Sequence, residues 1–408
     1  MRSVASATRL RGPLDLNALS QSLTQVVARH GALRTRIVVC NGEPAQLVHE
    51  ARRCELDVED LTNVSDDLLQ QEVPNRIEAF IRQPIDVAAD ALFGMRVLKL
   101  RDDEHVLIIA MEHMISDAYS MSIVSRELFS TYREVRQGQA LSLPPKPLQF
   151  ADYAADQRRT ARLWIEKHGK YWTQRLQGCG RLRFPDESSL LASYQSGWGV
   201  TPIQIGNDLT QRLRSWSRNN RTTLPMVVFA AYVALVLRWC GVSESVIRYQ
   251  GNGRAAPGAE NSVGFYASRL YLRVALRPGD RFIDLARRLM AEWCKAYGHD
   301  DFSYLETQDP PPECAQNPFF NWIPKERGLS AWGSPEPFAN PWLQQLEWDN
   351  EPMVLLYEGD SEITGCVRYP RSRFTAAIMK RFRDNFLRVL ESLVTEPAAA
   401  AHDVVSVI

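Results

Sequence analysis

Apolar and polar positions in the first third of the chain change from strand-like to helix-like spacing. Residues 105–111 (HVLIIAM) form a short apolar run rich in branched side chains, which predicts a buried strand. After it, apolar residues recur at steps of three and four from Met121 to Val135, which predicts a helix. Ser120 is a candidate cap for that helix, and Gly138 suits its end. A buried strand leading directly into a helix is therefore expected here.

The second half of the chain shows the same order of elements. Residues 201–205 predict a strand and residues 209–216 a helix. The apolar run from Met226 to Leu237 is too short to span a bilayer, so it predicts a buried helix. A strand near residues 363–369 and a helix over residues 376–393 complete the pattern. Strand, helix and strand in both halves predict two related lobes.

Chain length supports two lobes. A chain of 408 residues exceeds the usual size of one domain. Gly178-Cys179-Gly180 follows a helical stretch and marks the predicted boundary. We predict an N-terminal lobe of residues 1–178 and a C-terminal lobe of residues 179–408.

Composition narrows the classes of function. With 48 basic and 48 acidic residues the formal net charge is zero, which gives no argument for binding nucleic acid or a membrane surface. The seven cysteines include no CxxC pair, so a disulfide framework and a zinc site are both disfavoured. The N-terminus has no apolar stretch long enough for a signal peptide. We expect a cytoplasmic monomer that acts on small molecules or protein partners.

The sharpest chemical feature is residues 112–118 (EHMISDA), at the predicted junction of strand and helix. His113 can take or give a proton near neutral pH. Asp117 can orient the turn through hydrogen bonds or an ion pair. From these residues alone a second interpretation stays open, because a histidine that ends a buried strand is often a core residue. No metal-ligand spacing, phosphate loop or cofactor motif is present, so no metal or bound cofactor is expected.

Six stretches, in order, resemble the motifs of condensation domains of nonribosomal peptide synthetases. The order and rough spacing agree from about Thr8 to Val394. The stretches are residues 29–37 (RHGALRTRI, like RHxxLRTxF), 111–118 (MEHMISDA, like HHxxxDG), 150–157 (FADYAADQ, like YxDFAxWQ), 263–273 (VGFYASRLYLR, like GxFVNTxxLR), 299–305 (a poor copy of HQDxPFE) and 317–321 (NPFFN, like the closing segment with its NP pair).

This resemblance implies an α/β (α+β) fold of two chloramphenicol acetyltransferase-like lobes. Each lobe would be a mixed sheet with packed helices, and the lobes would form a V with a tunnel between them. A donor and an acceptor carrier protein would insert phosphopantetheine arms from opposite ends. The acceptor amine would then attack the donor thioester, forming an amide in nonribosomal peptide or hybrid biosynthesis.

The resemblance also implies roles for single residues. The second histidine of the motif maps onto His113, which would position or deprotonate the acceptor amine. Asp117 would be structural and paired with the arginine that matches Arg34. Asn321 matches an asparagine placed near the site. On this interpretation Asp117→Ala harms folding, whereas His113→Ala harms the rate alone.

Four positions depart from the family pattern. Glu112 replaces the first histidine, Ala118 the glycine, and Ser268-Arg269 the asparagine-threonine pair. Glu112 either raises the basicity of His113 or points away from it, and strand alternation favours the second. The Ala118 methyl group would narrow the tunnel or shift the loop. Arg269 would bind an anionic substrate group or be solvated.

Three functions remain open on sequence grounds. The leading one is amide-forming condensation, with a carrier-bound or free amine as acceptor. The second is an ester-forming acyltransferase that depends on coenzyme A or a carrier. The third is a weak or inactive domain that recruits a partner enzyme; Glu112 and Ala118 favour it, while His113 and Asp117 oppose it. The chain ends where a condensation domain would end, so we expect it to be free-standing or excised from a larger synthetase.

Overall fold

A computed structural model of the chain describes residues 4–185, 197–300, 313–324, 336–337 and 351–404. Within these residues, contacts divide the chain into two compact units. The first unit contains residues 4–159, Arg254–Tyr266 and the short strand at residues 336–337. The second contains the described parts of residues 160–253, 267–325 and 344–408.

This division differs from the boundary predicted between residues 178 and 179. The units separate after Arg159, inside a continuous helix, and Arg254–Tyr266 returns to the first unit from the second half of the chain. A glycine-rich turn marks the end of a helix, but which unit a segment packs into depends on tertiary contacts.

The helices and strands alternate along the chain as the apolar pattern predicts. In chain order they are β1 (Val4–Arg11), α1 (Leu16–Arg29), β2 (Thr35–Cys40), β3 (Glu43–Val48), β4 (Asp57–Asp60), α2 (Asp66–Arg82), β5 (Phe93–Arg101), β6 (Glu104–Met111), α3 (Ala118–Arg136), α4 (Phe150–Leu176), β7 (Trp198–Ile205), α5 (Asn207–Asn219), α6 (Leu224–Trp239), β8 (Glu244–Gly251), β9 (Ser268–Ala275), α7 (Phe282–Tyr297), β10 (Phe319–Ile323), β11 (Glu336–Pro337), β12 (Met353–Glu358), β13 (Ile363–Pro370), α8 (Ala376–Thr395) and α9 (Ala401–Val404).

The first unit is built on a mixed sheet with strand order β11–β1–β6–β5–β4. Only β4 and β5 pair in parallel, and the other pairs in this sheet are antiparallel. α1 and α3 contribute to the apolar cluster on one face, and α2 contributes to the cluster on the other. β2 and β3 form a separate two-stranded hairpin.

β6 is the central strand that leads into the motif, and it is buried on both faces. Successive side chains point to opposite faces of a sheet, so a strand covered on both sides reads as a continuous apolar run. The side chains that join the α1–α3 cluster are Leu107, Ile109 and Met111, and those that join the α2 cluster are Val106, Ile108 and Ala110. This confirms the buried strand predicted from residues 105–111.

The second unit has a mixed sheet with strand order β7–β13–β12–β10–β8–β9. β10 runs parallel to both β12 and β8, and the remaining pairs are antiparallel. Every residue of α6 from Met226 to Leu237 is buried, which confirms the predicted core helix. Among the described helices none alone is long and apolar enough to cross a membrane; α5 and α6 pass that test only as a pair, bent by 105°.

Candidate active site

Two acidic side chains shape the connection from β6 to α3. Glu112 precedes a single turn of 3-10 helix, His113–Ile115, and its carboxylate accepts a hydrogen bond from the Met114 amide. Asp117 is the N-cap of α3, and its Oδ1 accepts from the Ser120 amide at 2.7 Å. An N-cap carboxylate satisfies amides that a helix start leaves without a partner. The cap of α3 is therefore Asp117, and the prediction that Ser120 caps it is wrong.

His113 is held by its ring nitrogen and by an aromatic neighbour. Its Nδ1 lies 2.8 Å from the Ser116 carbonyl oxygen. A carbonyl oxygen can only accept, so Nδ1 carries the hydrogen, and in the neutral ring Nε2 carries the basic lone pair. The Phe265 ring meets His113 edge-on, with centroids 4.9 Å apart and planes at 69°. The half-buried imidazole is thus fixed in one tautomer and one orientation.

A buried ion pair lies directly behind the motif. Asp117 and Arg254 are 3% and 6% exposed and meet through two N–H···O bonds of 2.9 Å each. The Arg254 guanidinium also lies 4.7 Å from the Tyr119 ring centroid and 4.6 Å from that of Tyr266. Burial raises the pKa of the Tyr266 phenol, against the opposing effects of its Ser262 hydrogen bond and the Arg254 charge. The phenol therefore stays neutral beside the cation.

The Asp117 carboxylate also binds the backbone of the segment Arg254–Tyr266. The Tyr266 amide donates to Asp117 Oδ2 at 3.0 Å, and the Gly264 amide donates to the Ser120 hydroxyl at 3.1 Å. The Ser120 Oγ also lies 2.8 Å from Asp117 Oδ1 and 2.8 Å from the Gly264 carbonyl oxygen. A connected polar network is stable in the interior when each member finds a partner.

The predicted pairing of Asp117 with Arg34 is wrong, because Asp117 pairs with Arg254. Arg34 follows α1, and its guanidinium donates to backbone carbonyls close to it. Those carbonyls belong to Val27 at 3.0 Å, Ala28 at 3.3 Å and His49. Arg34 thus closes the end of α1 and has a structural role away from the motif's carboxylate.

Arg254 was missed by sequence reasoning for a physical reason. It lies 137 positions from Asp117, and only the path of the chain brings the two together. Its one local signal is that it directly follows Gly251-Asn252-Gly253, a turn-forming stretch with no chemistry of its own.

Glu112 and Ala118 are accommodated without strain. The Glu112 carboxylate engages the Met114 amide rather than His113, in agreement with the orientation favoured by strand alternation. Ala118 is the first residue of α3, where the backbone is already helical, so its methyl group meets no conformational penalty.

The other predicted site residues belong to the second unit. Ser268 begins β9 and donates from its hydroxyl to Oδ2 of the buried Asp300 at 2.6 Å. Gly251 lies opposite in β8, where an added Cβ would overlap the Ser268 hydroxyl. Arg269 is half-buried in β9, and Asn321 is half-buried at the centre of β10. The Ser268 hydroxyl is therefore hydrogen-bonded to a side chain of the protein itself, the Asp300 carboxylate.

The described residues contain no group of three or more histidine, cysteine or acidic side chains that could hold a metal ion.

Comparisons with known proteins identify the family of the chain. The family model of the condensation domain matches residues 3–321. The beauvericin nonribosomal cyclodepsipeptide synthetase of Gibberella fujikuroi is 31% identical over 303 residues, which is 73% of this chain and 9% of that protein. The chain spans a tenth or less of the length of the curated relatives it matches.

Solved structures share the fold. The first condensation domain of the CDA synthetase superposes with a TM-score of 0.79 at 19% identity, covering 98% of this chain and 94% of that one. The X-domain from teicoplanin biosynthesis gives 0.76 at 22% identity, covering 98% and 92%. The predicted class, mixed sheets with packed helices of the chloramphenicol acetyltransferase type, is confirmed. Since the family model matches most of the chain, this protein belongs to the condensation domain family.

Proposed function

We propose that this chain joins a carrier-protein-bound acyl or aminoacyl thioester to an amine, forming an amide bond in nonribosomal peptide or hybrid biosynthesis. The family implies acyltransferase-type catalysis. The observation that supports the finer proposal is His113 at the end of β6, with its hydrogen on Nδ1 and its lone pair on Nε2. That tautomer is the one that accepts a hydrogen bond or a proton from an attacking amine.

The bond changes balance without any further reactant. The amine nitrogen attacks the thioester carbonyl carbon, the new C–N bond forms, and the C–S bond breaks. One proton leaves the amine, and Nε2 of His113 accepts it or holds it by a hydrogen bond until the departing thiolate takes it up. The Ser116 carbonyl accepts from Nδ1–H and so stabilises the imidazolium during the transfer. Holding both reactants together removes much of the bimolecular entropy barrier.

We propose that Asp117 has a structural role and does not itself take part in the reaction. Its two oxygens bind Arg254, Ser120 and the Tyr266 amide, so the carboxylate fixes the turn that carries His113. We propose that both substrates arrive on phosphopantetheine arms of donor and acceptor carrier proteins, and that the domain itself holds no cofactor.

Ester formation is the second candidate, because the Gibberella relative is a cyclodepsipeptide synthetase. A hydroxyl acceptor would lose its proton to the same Nε2, so the geometry at His113 suits both acceptors.

A mass-spectrometric condensation assay tests the proposal. Wild type, His113→Ala and His49→Ala are mixed with a loaded donor carrier and with amine or hydroxyl acceptors, free and carrier-bound. His49 is an exposed histidine of the same unit and serves as the matched control. We expect product from wild type and His49→Ala, and about 100-fold less from His113→Ala.

Each other result points to a different function. Product with coenzyme A thioesters as efficient as with loaded carriers would identify a carrier-independent acyltransferase. No product from folded wild type with any donor would favour the recruitment of a partner enzyme and would sink the catalytic proposal.

A further inference from the structure

Phe265 occupies an unusual place beside the proposed catalytic histidine. Its ring meets the His113 imidazole edge-on with centroids 4.9 Å apart, yet 38% of the residue remains exposed. Burial of apolar area is favourable, so the exposed part of an aromatic ring is surface that a bound apolar group can cover. The uncovered part of this ring is therefore apolar surface directly next to the base.

The backbone on both sides of Phe265 is fixed by the motif. The Gly264 amide donates to the Ser120 hydroxyl, and the Tyr266 amide donates to Asp117 Oδ2. A side chain at Gly264 would overlap the Phe150 ring, so the chain is packed closely at this point. The same buried network that holds the His113 turn thus also fixes the backbone on both sides of Phe265.

A second exposed apolar side chain adjoins His113. Met114 follows it in the same helical turn and is 41% exposed. His113 therefore has two exposed apolar side chains next to it, one in ring contact and one adjacent in sequence. Such a surface favours a reactant with an apolar group next to its reacting atom.

We propose that Phe265 determines specificity for the acceptor, by contacting the side chain of the amine bound at His113 and favouring apolar and aromatic acceptors over small ones. The proposal rests on the function proposed above. The acceptor is chosen because its amine is the group that binds Nε2. The substituents on the carbon that carries the amine are then the part of the acceptor that we propose to contact the Phe265 ring.

The test measures kcat/KM for glycine, alanine, leucine and phenylalanine acceptors, each as an aminoacyl-pantetheine thioester, with two different donors. The enzymes are wild type, Phe265→Ala, Phe265→Leu and the control Val39→Ala, which truncates a 77% exposed residue of β2. We expect Phe265→Ala to lower kcat/KM for phenylalanine and leucine about 10-fold or more beyond whatever loss it causes for glycine, which has no side chain to contact the ring. The selectivity of Phe265→Leu should lie between those of wild type and Phe265→Ala, and the selectivity of Val39→Ala should match that of wild type.

Equal losses for all four acceptors would overturn the proposal, since they would show that Phe265 only positions His113. A selectivity change that follows the donor rather than the acceptor would overturn it as well. Phe265→Leu keeps the test decisive if the alanine variant does not fold.

Calorimetric binding of the same acceptors separates this proposal from the catalytic one. If wild type forms no product but binds the phenylalanine thioester about 10-fold more tightly than Phe265→Ala does, the catalytic function fails and the binding role of Phe265 stands. If product forms and neither binding nor kcat/KM depends on Phe265, the catalytic function stands and the binding role of Phe265 fails.

Discussion

At the scale of single residues, the two carboxylates between β6 and α3 have different roles. The carboxylates of Glu112 and Asp117 both accept hydrogen bonds from backbone amides at the start of a helix. Only Asp117 is buried, and only it also binds a guanidinium. Removing a cap exposes an amide to water, whereas removing one half of a buried ion pair leaves a charge without compensation. The two positions should therefore respond very differently to substitution.

The Asp117–Arg254 pair can be measured by a double-mutant cycle. We expect Asp117→Ala and Arg254→Ala each to lower the free energy of unfolding by about 3–5 kcal/mol, and the double variant to lose less than the sum. Urea unfolding supplies the values. Arg34→Ala is the control, and its effect should add to that of Asp117→Ala. Coupling to Arg34 instead would contradict the pairing.

Glu112 should be nearly neutral for catalysis. We expect Glu112→Gln to change the rate of product formation by less than about 3-fold and to leave the pH–rate profile in place, since the carboxylate is bound to the Met114 amide. Glu112→Ala should cost about 1 kcal/mol of stability through the lost cap. A displaced kinetic pKa in Glu112→Gln would show instead that the carboxylate tunes His113.

At the scale of elements, sheet packing sets which substitutions are tolerated. β6 is covered on both faces, and it carries one titratable side chain in its interior, His105. β13 runs against β12 with Gly365 opposite Leu356. The strand interior should therefore resist both charge and added volume.

Burial lowers the pKa of His105, and Lys99 lowers it further, against the opposite effects of Asp103, Asp102 and Glu104. The folded state thus favours the neutral ring. As pH falls below the ordinary histidine pKa of about 6.5, the unfolded chain binds the proton more readily, and stability is lost. We expect wild type to lose more thermal stability between pH 7 and pH 5 than His105→Leu. Equal losses would show that His105 is not the group responsible.

At Gly365 the backbones of β12 and β13 lie very close together, and a substitution there measures how much that closeness matters. A Cβ there would overlap the Leu355 carbonyl oxygen and lie 2.9 Å from the Leu356 Cα. Backbone cannot move aside as a flexible side chain can, so Gly365→Ala should destabilise by about 1–3 kcal/mol. Gly180→Ala is the control, because the nearest atom to its added carbon is a carboxylate oxygen of the Glu313 side chain at 3.7 Å, an ordinary contact. Thermal unfolding of the two variants should differ clearly; equal stability would mean the strands separate easily.

At the scale of the whole molecule, the chain does not divide into an N-terminal and a C-terminal half. The segment Arg254–Tyr266 comes from the second half of the sequence but belongs to the first unit. There it completes the hydrogen-bond network around Asp117. The stability of the motif therefore depends on a segment encoded more than a hundred residues later in the sequence.

Hydrogen–deuterium exchange should reveal this dependence. In Asp117→Ala the Tyr266 amide loses its acceptor, and the guanidinium of Arg254 loses its anion. We expect faster exchange in peptides covering residues 254–266 and unchanged exchange in α6, which is buried in the second unit. Faster exchange in α6 to the same degree would indicate global destabilisation rather than release of one segment.

The sequence by itself determined the elements and the motif. The run at residues 105–111 became β6, the run from Met226 to Leu237 became the interior of α6, and the predicted helix at residues 376–393 became α8. These features follow from local periodicity, because the spacing of apolar residues decides which face of a strand or helix is buried. Glu112 and His113 could likewise be placed at a strand end from the sequence alone.

Only the tertiary structure decided the partners. Arg254 rather than Arg34 meets Asp117, the Phe265 ring meets His113, and the first unit ends inside α4. Each of these contacts joins residues far apart in the chain, and no spacing rule encodes them, because they depend on how the strands order in the sheet and where the chain crosses between units. Local pattern therefore located the turn that carries His113, and long-range packing determined which residues hold that turn.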